Sequence, residues 1–192
     1  MSLKDRGRLL LRPLVRLLVA MGVSPSAVTL AAIPLSLGSA YTFATGRFFW
    51  GGALAALAGL CDTLDGEISR LTGRGTRVGA VLDSVVDRFG ESLALAGVAW
   101  FYFNVNLLYA ALAVGALILS LLVSYVRARA EGAGFDCRVG WFERPVRVIV
   151  FLFGAFVLGR TYMPWALGVI AVGSLATVAH RLVHVVRQTQ NQ

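Results

Sequence analysis

Four aspartates carry the chemistry open to this sequence: Asp62, Asp65, Asp83 and Asp87. Residues three or four apart share a face of a helix. Asp62 and Asp65 therefore lie on one face, and Asp83 and Asp87 on another. The link between the two segments, Gly73-Arg74-Gly75-Thr76, is short and turn-forming, which predicts an antiparallel helix hairpin. Four carboxylates are then expected to converge at one end of that hairpin. Two like charges about 4 Å apart repel by about 4 kcal/mol at an effective dielectric near 20. Divalent cations relieve that repulsion, and carboxylate oxygens suit Mg²⁺ or Mn²⁺. Two such ions about 4 Å apart can clamp a phosphate during its transfer. Gly66 beside Asp65 and Gly79 one turn before Asp83 would permit a ligand's close approach. Arg70, one turn beyond Gly66, could meet a phosphate with its planar fork.

These acids must be positioned by apolar elements. The chain has 192 residues, is 57% hydrophobic and has a mean hydropathy of +0.74. Only 15% of its residues are charged, against about 25% in a soluble domain. The expected class is an all-α integral membrane protein, a single membrane domain over residues 23–192. Six apolar segments of roughly spanning length are expected: Ser26 to Ala44, Phe48 to Ile68, Val78 to Phe103, Leu107 to Ala128, Val146 to Leu158, and Trp165 to Val186. The fifth is short. Residues 1–22 interleave Arg8, Arg12 and Arg16 with Leu and Val, which suits an amphipathic helix lying on an anionic membrane surface rather than a signal peptide.

The net charge of +8 has a topological reading. With six spans and the N-terminus inside, every Lys and Arg except Arg47 and Arg160 falls on the inner side, and positive residues favour the cytoplasm. Both termini and the acids would then face the cytoplasm of a cell membrane. Phe48, Phe49, Trp50, Trp100 to Phe103, Tyr162 and Trp165 would form the outer interfacial belt. A nucleic-acid partner is not expected, because the arginines sit at span ends. Cys61 and Cys137 have no metal-binding or disulfide spacing. His180 and His184 are four apart but lack an evident third ligand, and read as packing or interfacial residues.

The stretch D62-T-L-D65-G66-E-I-S69-R70, eight residues, then G79-A-V-L-D83-S-V-V-D87 resembles the signature of the CDP-alcohol phosphotransferases, D-x2-D-G-x2-A-R, about eight residues, G-x3-D-x3-D. Ser69 stands where the family usually has Ala. The resemblance implies that an alcohol oxygen attacks the β-phosphorus of CDP-diacylglycerol and CMP leaves. By position, it makes Asp62, Asp65 and Asp83 metal ligands and Asp87 both a shared ligand and the general base. It also makes Asp62, Gly66, Arg70 and Gly79 nucleotide contacts, with Thr29 a further candidate at the start of the first span. Two divalent ions, Mg²⁺ or Mn²⁺, and a homodimer follow from the same likeness.

The acceptor is read from two further stretches. S124-Y-V-R127-A-R129-A-E131 and E143-R144-P145-V-R147 look like the bacterial phosphatidylinositol-phosphate synthase branch of the family, which joins CDP-diacylglycerol to inositol phosphate. On that likeness Arg127, Pro145, Arg147 and Arg181 line the acceptor pocket. Arg127 stands where that branch usually has Lys. The alternatives are a phosphatidylglycerophosphate synthase, another enzyme of the same family, or a cation-coupled transporter using the aspartates as an ion site.

Overall fold

The structure, a computed structural model, describes residues 3–73 and 75–190, with side chains described from residue 12 onward. Arg8 and Arg74 lie outside the described side chains. The described residues form helices joined by short connections, with no strand among them. The helices are α1 (Leu3–Ala20), α2 (Pro25–Ala44), α3 (Phe48–Thr72), α4 (Arg77–Phe103), α5 (Leu107–Gly132), α6 (Arg144–Phe153) and α7 (Gly159–Gln190). A single π-helical stretch, Gly154–Leu158, joins α6 to α7.

Local chemistry sets the helix ends. Ser24 caps α2 by accepting from the Ala27 amide at 3.2 Å, with Pro25 following where a missing N–H costs nothing. Thr76 caps α4 through the Gly79 amide at 2.9 Å, and Asn106 caps α5 through the Leu108 amide at 3.0 Å. α3 stops at Gly73, whose φ of 64° is the left-handed conformation glycine adopts freely.

The short fifth segment has a structural cause. At Gly159, φ +60°, the chain reverses. A Cβ on Gly154 would meet the Ala166 Cβ at 2.7 Å. In a continuous helix residues twelve apart are separated by about 18 Å. α7 therefore folds back on the π segment and α6.

α2 packs along both α3 and α4, which touch each other over much less surface. The hairpin expected from the short link is thus splayed, with α2 wedged in it. Small residues allow the wedge. A Cβ on Gly97 of α4 would fall 2.3 Å from the Ala40 carbonyl oxygen of α2, a contact that only glycine permits. Ser39 of α2 donates to the Gly51 carbonyl of α3 at 2.8 Å.

The main core gathers Phe43, Phe48, Leu95, Tyr102, Phe151, Met163 and Ile170 at and towards the end of the bundle away from the aspartates. Phe43 meets Phe48 and Phe151 edge to face at 5.4 and 5.2 Å, the geometry that aromatic quadrupoles favour. A smaller cluster of Val15, Val28, Leu64 and Ile68 ties α1 to α2 and α3 at the acidic end. Arg12 and Arg16 stay exposed.

Many outward side chains are apolar, among them Leu37, Ile118, Leu121 and Val172. By length and composition, α2, α5 and the run Arg144–Gln190, which turns back at Gly159, are apolar enough to cross a membrane. α3 and α4 have 25 and 27 residues, but α3 carries Asp62, Asp65 and Glu67 in its last turns and α4 carries Asp83 and Asp87 in its first. Of the aromatics expected in an interfacial belt, Phe49, Trp50, Trp100, Phe103, Tyr162 and Trp165 are exposed, whereas Phe48 and Tyr102 turn into the core.

Candidate active site

The site is assembled from the last turns of α3 and the first turns of α4 and α6, with the start of α2 beside them. One oxygen each from Asp62, Asp83 and Asp87 lies within 4.8 Å of the others. Two ligands on opposite sides of an ion bound at about 2.1 Å are about 4.2 Å apart, so small side-chain adjustments bring these three onto one Mg²⁺-sized cation. Asp83 Oδ1 is buried without a hydrogen-bond partner. An orphaned acceptor of this kind is costly in a folded chain unless a ligand or ion completes it. The donor set, all hard oxygen, and the orphaned atom both fit a divalent cation.

The fourth aspartate is held differently. Asp65 is 5% exposed, and its Oδ2 accepts from the Thr29 hydroxyl at 2.5 Å. Thr29 also reaches the Pro25 carbonyl at 3.2 Å. Three carboxylates are therefore gathered, and the fourth is pinned beside them by α2. Thr29, expected at the nucleotide, spends its hydroxyl on Asp65.

A residue that sequence reasoning passed over sits in the middle. Arg144 Nη1 contacts Asp62 Oδ2 at 3.3 Å and bonds Asp87 Oδ2 more closely still. Its Nε is buried without a partner. Arg144 was readable only as one more arginine at a span end. The signal that could have found it is its place immediately before Pro145, at the start of a short helix that begins near the acids.

The other expected contacts are placed as follows. Arg70 folds back on its own helix, with Nε on the Gly66 carbonyl at 3.1 Å and Nη2 on Glu67 at 3.0 Å, and remains exposed. A Cβ on Gly66 would meet nothing closer than Arg70 at 3.4 Å, so packing does not require glycine there. A Cβ on Gly79 would lie 3.0 Å from the Thr76 cap and 3.9 Å from Ser26, placing the start of α4 against the start of α2.

Behind the acids lies a cavity of about 380 Å³. Asp62, Asp87, Glu91, Arg144, Pro145 and Arg147 line its polar end, and small residues such as Ala55, Gly59, Gly90 and Ala94 open the rest. Arg147 is 1% exposed and grips Glu91 with Nε at 2.7 Å and Nη2 at 3.0 Å. Arg127 and Arg181 are not in the cavity wall. They meet Glu143, the N-cap of α6, at 3.5 and 3.4 Å. Arg181 also donates to the Val139 carbonyl at 2.8 Å and the Val123 carbonyl at 2.5 Å. The two histidines are engaged elsewhere: His180 packs edge-on to Trp141, and His184 meets Gln188.

Comparison with known proteins decides the family. The description CDP-alcohol phosphatidyltransferase matches residues 22–186. The chain belongs to the CDP-alcohol phosphatidyltransferase family. Within it, the chain is 40% identical over 184 residues to a phosphatidylinositol phosphate synthase of Mycobacteroides abscessus, covering 91% of this chain and 82% of that relative. The crystal structure of the Mycobacterium tuberculosis phosphatidylinositol phosphate synthase with CDP-DAG bound matches with a TM-score of 0.82 at 32% identity, covering 90% of this chain and 92% of that one. The same enzyme in complex with manganese and citrate matches with a TM-score of 0.83 at 32% identity, covering 90% and 87%. The aspartates Asp62, Asp65, Asp83 and Asp87 and the helices that carry them lie inside the matched range.

Proposed function

We propose that this family member transfers the phosphatidyl group of CDP-diacylglycerol to inositol phosphate, releasing CMP and forming phosphatidylinositol phosphate. The observation that carries this reading is the convergence of Asp62, Asp83 and Asp87 at the mouth of a cavity lined by Arg144 and Arg147. Similarity to phosphatidylinositol phosphate synthases along most of the chain supports the choice of acceptor.

Asp62, Asp83 and Asp87 would hold a divalent cation, with Asp65 a fourth ligand by the family pattern; Mg²⁺ is proposed and Mn²⁺ would serve. Such ions supply charge neutralisation for the pyrophosphate and for the leaving CMP. Asp87 is the proposed general base. The acceptor hydroxyl gives its proton to the Asp87 carboxylate, its oxygen forms a bond to the β-phosphorus, and the bond from that phosphorus to the CMP oxygen breaks. Gly66 leaves room for the nucleotide beside Asp62, with Arg70 and Gly79 at its rim and Thr29 holding Asp65. Pro145 and Arg147 face the acceptor, while Arg127 and Arg181 act on that side through Glu143.

The same reading gives six membrane crossings over residues 23–192, with residues 1–22 lying along the surface. The distribution of arginines supports a cytoplasmic site with both termini on that side. The working unit is proposed to be a homodimer. The test is an acceptor screen. Purified protein given radiolabelled CDP-diacylglycerol and Mg²⁺ should release CMP and form labelled product with inositol phosphate. Turnover with glycerol 3-phosphate alone would reassign it as a phosphatidylglycerophosphate synthase.

A further inference from the structure

Two buried atoms at the acidic end have complementary needs. Asp83 Oδ1 is an acceptor and Arg144 Nε a donor, and neither has a hydrogen-bond partner among the described residues. Arg144 meanwhile places Nη1 on Asp62 and Asp87, two of the three carboxylates that could share a cation. An oxygen that accepts the guanidinium N–H cannot also ligate an ion at about 2.1 Å from the same side. The two positive charges would, in addition, repel one another at close range.

Taking the acids as a cation site, as the proposed function does, we infer that Arg144 and the divalent cation compete for Asp62 and Asp87. The guanidinium neutralises the acids before an ion arrives and withdraws when it binds. Its surroundings permit the exchange. The side chain is 29% exposed, has a spare donor, and stands in the first turn of α6, directly after a connection without regular structure. Arg147, one turn later, cannot do the same: it is 1% exposed and its three donor nitrogens are engaged by Glu91 and the Phe142 carbonyl. A released guanidinium is a planar fork suited to phosphate oxygens. Arg144 thus opposes the bare ion and favours the nucleotide that follows it.

That pair of opposite signs is the test. The full chain is purified in detergent, and free Mn²⁺ is titrated by electron paramagnetic resonance with no donor lipid present. Arg144→Gln should bind Mn²⁺ about tenfold more tightly than the unaltered protein, and should bind CDP at saturating Mn²⁺ about tenfold more weakly. A purely structural role would move both affinities the same way. Unchanged or weaker Mn²⁺ binding by the variant overturns the inference. If the unaltered protein binds no Mn²⁺ at all, the cation-site reading falls, and with it the proposed function. Should Arg144→Gln fail to fold, the unaltered protein still decides. Amide hydrogen exchange over residues 139–147 should rise when Mn²⁺ is added, as the tether is released. Unchanged or slower exchange there rejects the competition.

Discussion

Arg144 and Arg181 stand at the same end of the bundle, and their surroundings differ in every respect that matters. Arg181 is 2% exposed and its guanidinium is satisfied by the Val123 and Val139 carbonyls and by Glu143. Arg144 is 29% exposed, leans on carboxylates that have other possible partners, and keeps one donor unused. Saturated buried arginines hold architecture in place. An arginine with a spare donor beside an orphaned acceptor is poised for chemistry. The acidic end therefore contains a fixed frame, built from α5, α7 and the Glu143 cap, and an exchangeable charge set mounted on it.

The sharpest break in that comparison comes from Asp87. Asp87→Asn should lower turnover by about 10⁴-fold, the upper end of what a lost general base costs, because the same carboxylate is also a proposed ligand. Its melting temperature should hold and CDP-diacylglycerol binding should survive; turnover near normal would remove Asp87 from the reaction. Arg181→Met should act on the frame instead. It takes the guanidinium from the Val123 and Val139 carbonyls and leaves Glu143 with Arg127 alone, and thermal unfolding should report a loss of about 3 kcal/mol. If stability is unchanged and only the acceptor KM rises, Arg181 belongs with the exchangeable set. The smallest effect is expected at Arg138, whose contact with Asp136 spans 3.8 Å between side chains more than 70% exposed. Arg138→Ala should shift stability by less than about 1 kcal/mol and leave turnover unchanged, as measured by the same two assays.

How much of this was legible in the sequence divides along the same line. The aspartates were readable because helical spacing and a short link fix which residues share a face, and because acids inside apolar segments have few structural uses. The helices follow the apolar segments closely for the same reason. The resemblance singles out Arg147 and Arg181 and passes over Arg144, and the charge pattern alone does not separate the three. An arginine at a span end satisfies the charge rule whether it is exposed, clamped or catalytic, and only the fold distinguishes Glu91 from Asp87 as its partner. The Thr29–Asp65 bond joins residues 36 apart in the chain, which no local pattern reveals. The shortness of the fifth segment is visible in the sequence, but its cause, a π turn and a reversal at Gly159, depends on what folds back against Gly154.

The wedge formed by α2 has a consequence for the chemistry. The two acid-bearing helices touch each other little and each packs along α2, so the spacing of Asp62 and Asp83 depends on how both seat against a third helix that contributes no acid. Gly97 lies ten residues beyond Asp87, about 15 Å along α4, where the α4 backbone rests on Ala40. A single methyl group there would act as a shim, tilting α4 about its far end and opening the metal-sized space at the near one.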